Sequence, residues 1–308
     1  MILYNSKDWF RALAHFHTSY TIRLLLRRVG MIGLYGTVIT VIDLNYFDFK
    51  LHIDGTIFSL LGIMLSLLLV FRTNTAYDRF WEGRKQWGSL VNHSRNLAVM
   101  MDSLIPENDL ANRQYFARTI ANFALALKSH LRSGVDYTEL EETEDGKPES
   151  LQRYSHVPSR IAALLMRRIQ SMYRLDLFTA ADLLNLKPHH EALLDITGAC
   201  ERIKKTPIPF SYSFFIKMFI TMYLILMPFI ITETYQYFSI PATLLVAYAL
   251  MGVEMIGDEI EEPFGMDCND LPLNQIAHNI RKNAHEILGV ELSAALPVVS
   301  EAEYIKIH

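Results

Sequence analysis

Four stretches of the chain carry no charged side chain. Val29–Ile42 reads VGMIGLYGTVITVI and Ile57–Phe71 reads IFSLLGIMLSLLLVF. Met218–Thr232 reads MFITMYLILMPFIIT, and Thr234–Val253 reads TYQYFSIPATLLVAYALMGV. A helix that crosses a bilayer needs about 20 mostly apolar residues, roughly 17 at the short end. The last run, at 20 residues, meets this alone, whereas the others have 14 or 15, a length that also suits buried helices of a soluble protein. The flanks favour the membrane. Arg23, Arg27 and Arg28 precede the first run, Arg72 and Arg79 follow the second, and Lys204, Lys205 and Lys217 precede the third. The connections within each pair are net acidic, with Asp43, Asp48, Lys50 and Asp54 in one and Glu233 in the other. All the basic flanks thus fall on one side, as the positive-inside rule requires, and Arg and Lys stems extend a short core by snorkelling. The pattern predicts a multi-pass protein of the cell membrane with both termini cytosolic. Its spans cover about 29–42, 57–71, 214–232 and 234–253.

Between the span pairs the period changes to that of amphipathic helices. Phe116, Ile120, Phe123 and Leu127 form one stripe within Leu110–Arg132; Ile161, Leu164, Leu165 and Ile169 form another within Arg160–Tyr173. Gly134–Ser150 is acidic, with Gly and Pro, and reads as a solvated loop without chemistry. Leu273–Leu288 has helical spacing again and is expected to pack onto this cytosolic block. The expected fold is all-α. Residues 1–71 hold an N-terminal segment and two spans, 72–206 a cytosolic helical domain, 207–257 two more spans, and 258–308 an acidic turn and C-terminal cytosolic segment.

Charge follows the same division. Residues 72–206 contain 19 Lys and Arg and 17 Asp and Glu, more than half of the charges in the 308-residue chain. The net charge of −4 leaves no basic footprint for nucleic acid. Two cysteines, Cys200 and Cys268, with no CxxC pair suggest neither a disulfide framework nor a zinc site. Met1–Trp9 lacks the basic and then apolar layout of a cleavable signal.

Motifs for chemistry are sparse. His189, His190 and Glu191 are adjacent but not in HExxH spacing, and they read as a solvated helix end after Pro188. No Walker A loop, GxGxxG or GxSxG is present, so the sequence offers no convincing enzyme. Ile63, Leu67 and Phe71 recur every four residues and stack along one helix face. Such a stripe faces lipid or another helix, or, if copies surround an axis, forms apolar rings that gate by dewetting. Gly62 and Ser66 beside it permit close helix approach. Asp258–Leu273, DEIEEPFGMDCNDLPL, ends the last span with clustered carboxylates. They suit a solvated helix end, or hard oxygen ligands for calcium without EF-hand spacing.

Phe71-Arg72-Thr73-Asn74 with Tyr77-Asp78-Arg79-Phe80 and Glu82-Gly83-Arg84 follows the second span. Gly198-Ala199-Cys200-Glu201-Arg202-Ile203 and Thr206-Pro207-Ile208-Pro209-Phe210 lead into the third. Glu259-Ile260-Glu261-Glu262-Pro263-Phe264-Gly265 and Asn269-Asp270-Leu271-Pro272-Leu273 follow the fourth. In that order the set resembles the bestrophin family, its bacterial branch in particular, over roughly Trp9 to Leu288.

The resemblance implies a homopentameric channel that passes monovalent ions, anions such as chloride first and cations as the rival. It implies a hydrophobic neck at Ile63, Leu67 and Phe71 and a cytosolic aperture near Ala181. The calcium clasp of animal members maps onto the side chains of Asp267 and Asp270 and the carbonyls of Glu259 and Glu262. Met266, Cys268 and Asn269 interrupt its acidic run here, so a structural turn is expected first and a calcium site second, with no cofactor required. A secondary transporter would need a midplane ionisable residue, and the four runs contain none, although Pro228 and Pro241 could kink theirs. A soluble helical or membrane-anchored interaction module is the third reading.

Overall fold

A computed structural model describes residues 2–3, 20–47, 55–132, 134–145, 147–267, 269–292 and 305–306. Asp48, Lys50, Asp54 and Cys268, which figured in the sequence reading, lie outside the described residues, as do the stretch before Tyr20 other than residues 2–3 and most of the C-terminal tail. Eight α-helices of 15 residues or more occur among the described residues. They are α1 (Tyr20–Ile42), α2 (Gly55–Leu104), α3 (Leu110–His130) and α4 (Val157–Arg174). They continue with α5 (Ala180–Lys205), α6 (Phe210–Tyr235), α7 (Ser239–Glu261) and α8 (Leu273–Ile287). Extended pairing among the described residues is a two-residue antiparallel ladder, Ile2–Leu3 with Ile305–Lys306.

The first three apolar runs lie within longer helices, whereas the fourth, expected over 234–253, starts in the end of α6 and the turn at Gln236–Phe238 and enters α7 only at Ser239. α1 has 23 residues, α6 26 and α7 23; at about 1.5 Å per residue each exceeds a hydrocarbon core of about 30 Å. Each helix gains this length by continuing through charged or polar flanks, α1 over Arg23, Arg27 and Arg28, and α7 over Glu254, Asp258, Glu259 and Glu261. Helical stretches long and apolar enough to cross a membrane run over Thr21–Tyr46, Gly55–Leu104 and Phe210–Glu261. The last contains both α6 and α7, joined through a short 3-10 turn at Gln236–Phe238.

The described residues fall into two compact units. The first draws on Tyr4–Phe80 and Pro207–Glu262, the second on Met1–Leu3, Trp81–Thr206 and Pro263–His308; α2 supplies residues to both. The core of the first unit joins Leu25 and Val29 of α1, Phe58, Leu65 and Leu69 of α2, Ile216, Ile220, Leu224 and Met227 of α6, and Ala247 and Met255 of α7. Close approach is built in: a Cβ on Gly33 would lie 2.5 Å from Leu244 Cδ2, and one on Gly62 would lie 2.8 Å from Tyr223 Oη. Three buried hydroxyls, Thr40, Thr232 and Ser239, bond to one another where α1, α6 and α7 meet.

The second unit is built on α3, whose faces are almost wholly buried between α4 and α8. Two elements differ from the sequence reading. The loop before α4 is not wholly solvated: Leu140 and Glu141 are buried, because the Asn122 side chain of α3 pairs with both backbone groups of Glu141 at 2.7 Å. Pro188 lies inside α5 rather than beyond a helix end, and His190 is buried with Nε2 2.8 Å from the Ala162 carbonyl. A proline is tolerated there because tertiary contacts, not propensity, hold the helix.

Candidate functional site

The one-turn repeat places Ile63, Leu67 and Phe71 on a single face of α2, 68%, 53% and 55% exposed in the isolated chain. The residues between them, Leu65 and Leu69, are 0% and 3% exposed and lie in the core. The helix is therefore anchored by one face and offers an apolar ridge on the other. Ser66 donates its hydroxyl to the Gly62 carbonyl at 2.9 Å, so the polar atom beside the ridge is already satisfied by its own helix.

Immediately below the ridge the chemistry changes. Arg72 is 1% exposed, and its Nη1 donates to Glu254 Oε1 at 2.8 Å while Nη2 bonds Asp258. Lys217 of α6 reaches Asp258 Oδ2 at 2.7 Å and Glu254 Oε1 at 3.3 Å. Glu261 Oε2 stands 3.9 Å from Arg72 Nη2, and its Oε1 accepts the Ile208 backbone N–H at 2.8 Å. Two cations and three carboxylates thus tie α2, α6 and α7 together one residue beyond Phe71. A buried charge persists only when it is paired and hydrogen-bonded, and this network supplies the partners. The sequence reading took Arg72 and Lys217 as membrane flanks and missed their carboxylate partners. The available signal was Glu254, the first charge after the last apolar run.

The residues expected at a calcium clasp fall in two places. Glu259 lies in the last turn of α7 and Glu262 is its C-cap. Beyond them Pro263–Leu273 forms a tight turn in which Leu271 N–H donates to the Pro263 carbonyl at 3.0 Å. Asp267 is exposed, whereas Asp270 is buried and accepts the Asp267 backbone N–H on Oδ2 at 2.5 Å. Arg132, at the end of α3, donates to the Phe264 carbonyl at 3.3 Å and to Asn274 Oδ1 at 2.8 Å. Burial lowers the pKa of its guanidinium, and the Asp270 carboxylate works against that shift. The Asp270 carboxylate is committed to the turn through the Asp267 N–H. Phe264 is buried beneath the turn, where a Cβ on Gly83 would meet its ring at 3.1 Å, so the glycine of the Glu82-Gly83-Arg84 motif is required for contact.

Ala181 is exposed in the first turn of α5, a start fixed by a capping box in which Thr179 and Asp182 exchange hydrogen bonds. The Asp182 carboxylate consequently sits on the positive end of the helix, beside Ala181.

A sequence model of the bacterial/fungal bestrophin proteins matches residues 1–286. The chain belongs to the bestrophin family. A voltage-dependent anion channel-forming protein of Nostoc sp. is 35% identical over 285 residues, 91% of this chain and 92% of the relative. One from Ralstonia nicotianae is 30% identical, covering 94% and 95%. The crystal structure of a bacterial bestrophin homologue from Klebsiella pneumoniae is similar with a TM-score of 0.80 at 25% identity, over 87% of this chain and 99% of that one. With its apolar helices, this bestrophin is a membrane protein.

Proposed function

We propose that this bestrophin assembles as a homopentamer in the cell membrane and conducts anions such as chloride passively through an axial pore. The observation that carries the reading is the ridge of Ile63, Leu67 and Phe71, apolar and exposed on a helix whose opposite face is core. Repeated around an axis, the ridge makes three apolar rings, a neck that closes by losing its water. Rings without charge select by dehydration cost, which favours large, weakly hydrated ions. The anion channel-forming names of the relatives support the sign of the ion. Ala181, a small side chain, makes a wide cytosolic aperture, and both termini lie in the cytosol. The turn at Asp267 and Asp270 acts as a structural clamp first; calcium bound there, with the Glu259 and Glu262 carbonyls, is the second role.

The deciding experiment is the reversal potential of the purified protein in a planar bilayer under a KCl gradient, with and without calcium. The expected value lies near the chloride equilibrium potential. A value near that of potassium would overturn the anion assignment while keeping the pore, and absence of current in both conditions would overturn the channel. A calcium response that survives Asp267→Ala with Asp270→Ala would remove the clasp.

A further inference from the structure

Glu201 belongs to the Gly198–Ile203 motif, and nothing in a neck or a turn explains it. It lies near the C-terminal end of α5, while His130 is the last residue of α3 and His156 is the N-cap of α4. The three side chains converge. Glu201 Oε1 is 2.6 Å from His130 Nε2 and 2.8 Å from His156 Nε2, and the rings tilt at 44° with centroids 4.7 Å apart. One ligand atom from each residue lies within 4.8 Å of the others.

We propose that His130, His156 and Glu201 bind zinc, one ion per chain, with water in the fourth position. Two imidazole nitrogens and a carboxylate oxygen are the donor set of tetrahedral zinc with an open site; calcium takes oxygen ligands instead. Ligands about 2.0–2.1 Å from zinc stand about 3.3 Å from one another, so the His130 and His156 Nε2–Oε1 distances need to open by about 0.7 and about 0.5 Å. The side chains keep 24%, 34% and 19% of their exposure, which leaves a path for the ion and room for the water. Glu201 is held in place by all three neighbours, with His130 and His156 on Oε1 and Lys205 on Oε2. Lys205, 3.3 Å from Oε2, is itself 70% exposed and free to swing aside. Cys200, next in the chain, is buried, and the ligand atoms that converge come from His130, His156 and Glu201.

Coordination has a structural consequence. A carboxylate oxygen only accepts, so each Nε2 in the structure donates its proton to Glu201. His156 Nδ1 meanwhile accepts the Ser159 backbone N–H at 3.2 Å, capping α4. Zinc takes the Nε2 lone pair and moves the ring proton to Nδ1, so the cap is given up.

The test uses full-length protein in detergent, stripped with chelator and titrated calorimetrically with zinc, alongside His130→Ala, His156→Asn and Glu201→Gln. Asparagine at 156 keeps a helix-capping oxygen without an imidazole. One zinc per chain is expected, weakened at least about tenfold in every variant. Cobalt should give tetrahedral visible bands that the variants lack, and hydrogen exchange at Ser159 should quicken when zinc binds. Equal zinc affinity in wild type and variants would place the ion elsewhere and overturn the proposal. So would no stoichiometric zinc on a wild type whose variants merely melt earlier, since the triad would then be a hydrogen-bonded clamp alone.

Discussion

Arg72 is nearly inaccessible, paired with carboxylates, and adjoins the last residue of the proposed neck. Removing one member of a buried ion pair leaves the other charge without compensation and costs about 3–5 kcal/mol. Arg72→Ala should therefore lower the stability of the solubilised protein by about that amount. Adding Glu254→Gln should recover much of the loss, since a pair deleted together costs far less. Thermal unfolding of the two single variants and the double gives the coupling, and strictly additive effects would show that the guanidinium and Glu254 act separately. Arg72→Lys keeps the charge but not the fork that reaches Glu254 and Asp258 at once, so it should fall between wild type and Ala.

Among the elements, α8 is tied by a single buried carboxylate to the loop before α4. Glu141 Oε1 accepts Arg281 Nε at 2.5 Å, and Oε2 is 3.0 Å from His285 Nε2. Burial alone would raise the Glu141 pKa, but His285 and then Arg281 hold it below its usual 4.5. A depressed carboxyl stabilises the fold above its unfolded pKa, and that stabilisation is lost as pH falls through the folded value. Hydrogen exchange across Leu273–Ile287, corrected for its intrinsic rate, should stay slow at neutral pH and accelerate only below pH 4.5. Glu141→Gln should produce the fast exchange already at pH 7. Protection of α8 that ignores both changes would mean that its apolar face, Leu273, Ala277, Ile280 and Ala284, suffices.

For the whole molecule, the proposed pore turns on side chains that one chain leaves uncovered. Ile63→Ala with Leu67→Ala and Phe71→Ala should widen the neck and raise single-channel conductance while size-exclusion chromatography finds the same oligomer. Unchanged current would take these residues out of the ion path. Much of this architecture was legible in the sequence, because charge-free runs and basic flanks are local signals: α1 and α6 each enclose a run that stood out, α7 takes up the fourth from Ser239 onward, and the stripe in α3 lies within the helix expected there. Long-range polar contacts were not legible. Arg72 finds Glu254 182 positions away and His130 finds Glu201 across 71, distances at which spacing carries no information. Glu141 was hidden for the opposite reason, since an acidic stretch with Gly and Pro looks solvated until Asn122 is seen to draw its backbone inward.

The buried thiol of Cys200 has a practical corollary. With a pKa of about 12, its reactive thiolate amounts to about one part in 10⁵ at pH 7, and packing shields the sulfur as well. The chain has only one other cysteine, Cys268. Replacing that residue alone should yield a background blind to maleimide, in which a cysteine placed at position 67 or 181 reports its own accessibility during conduction.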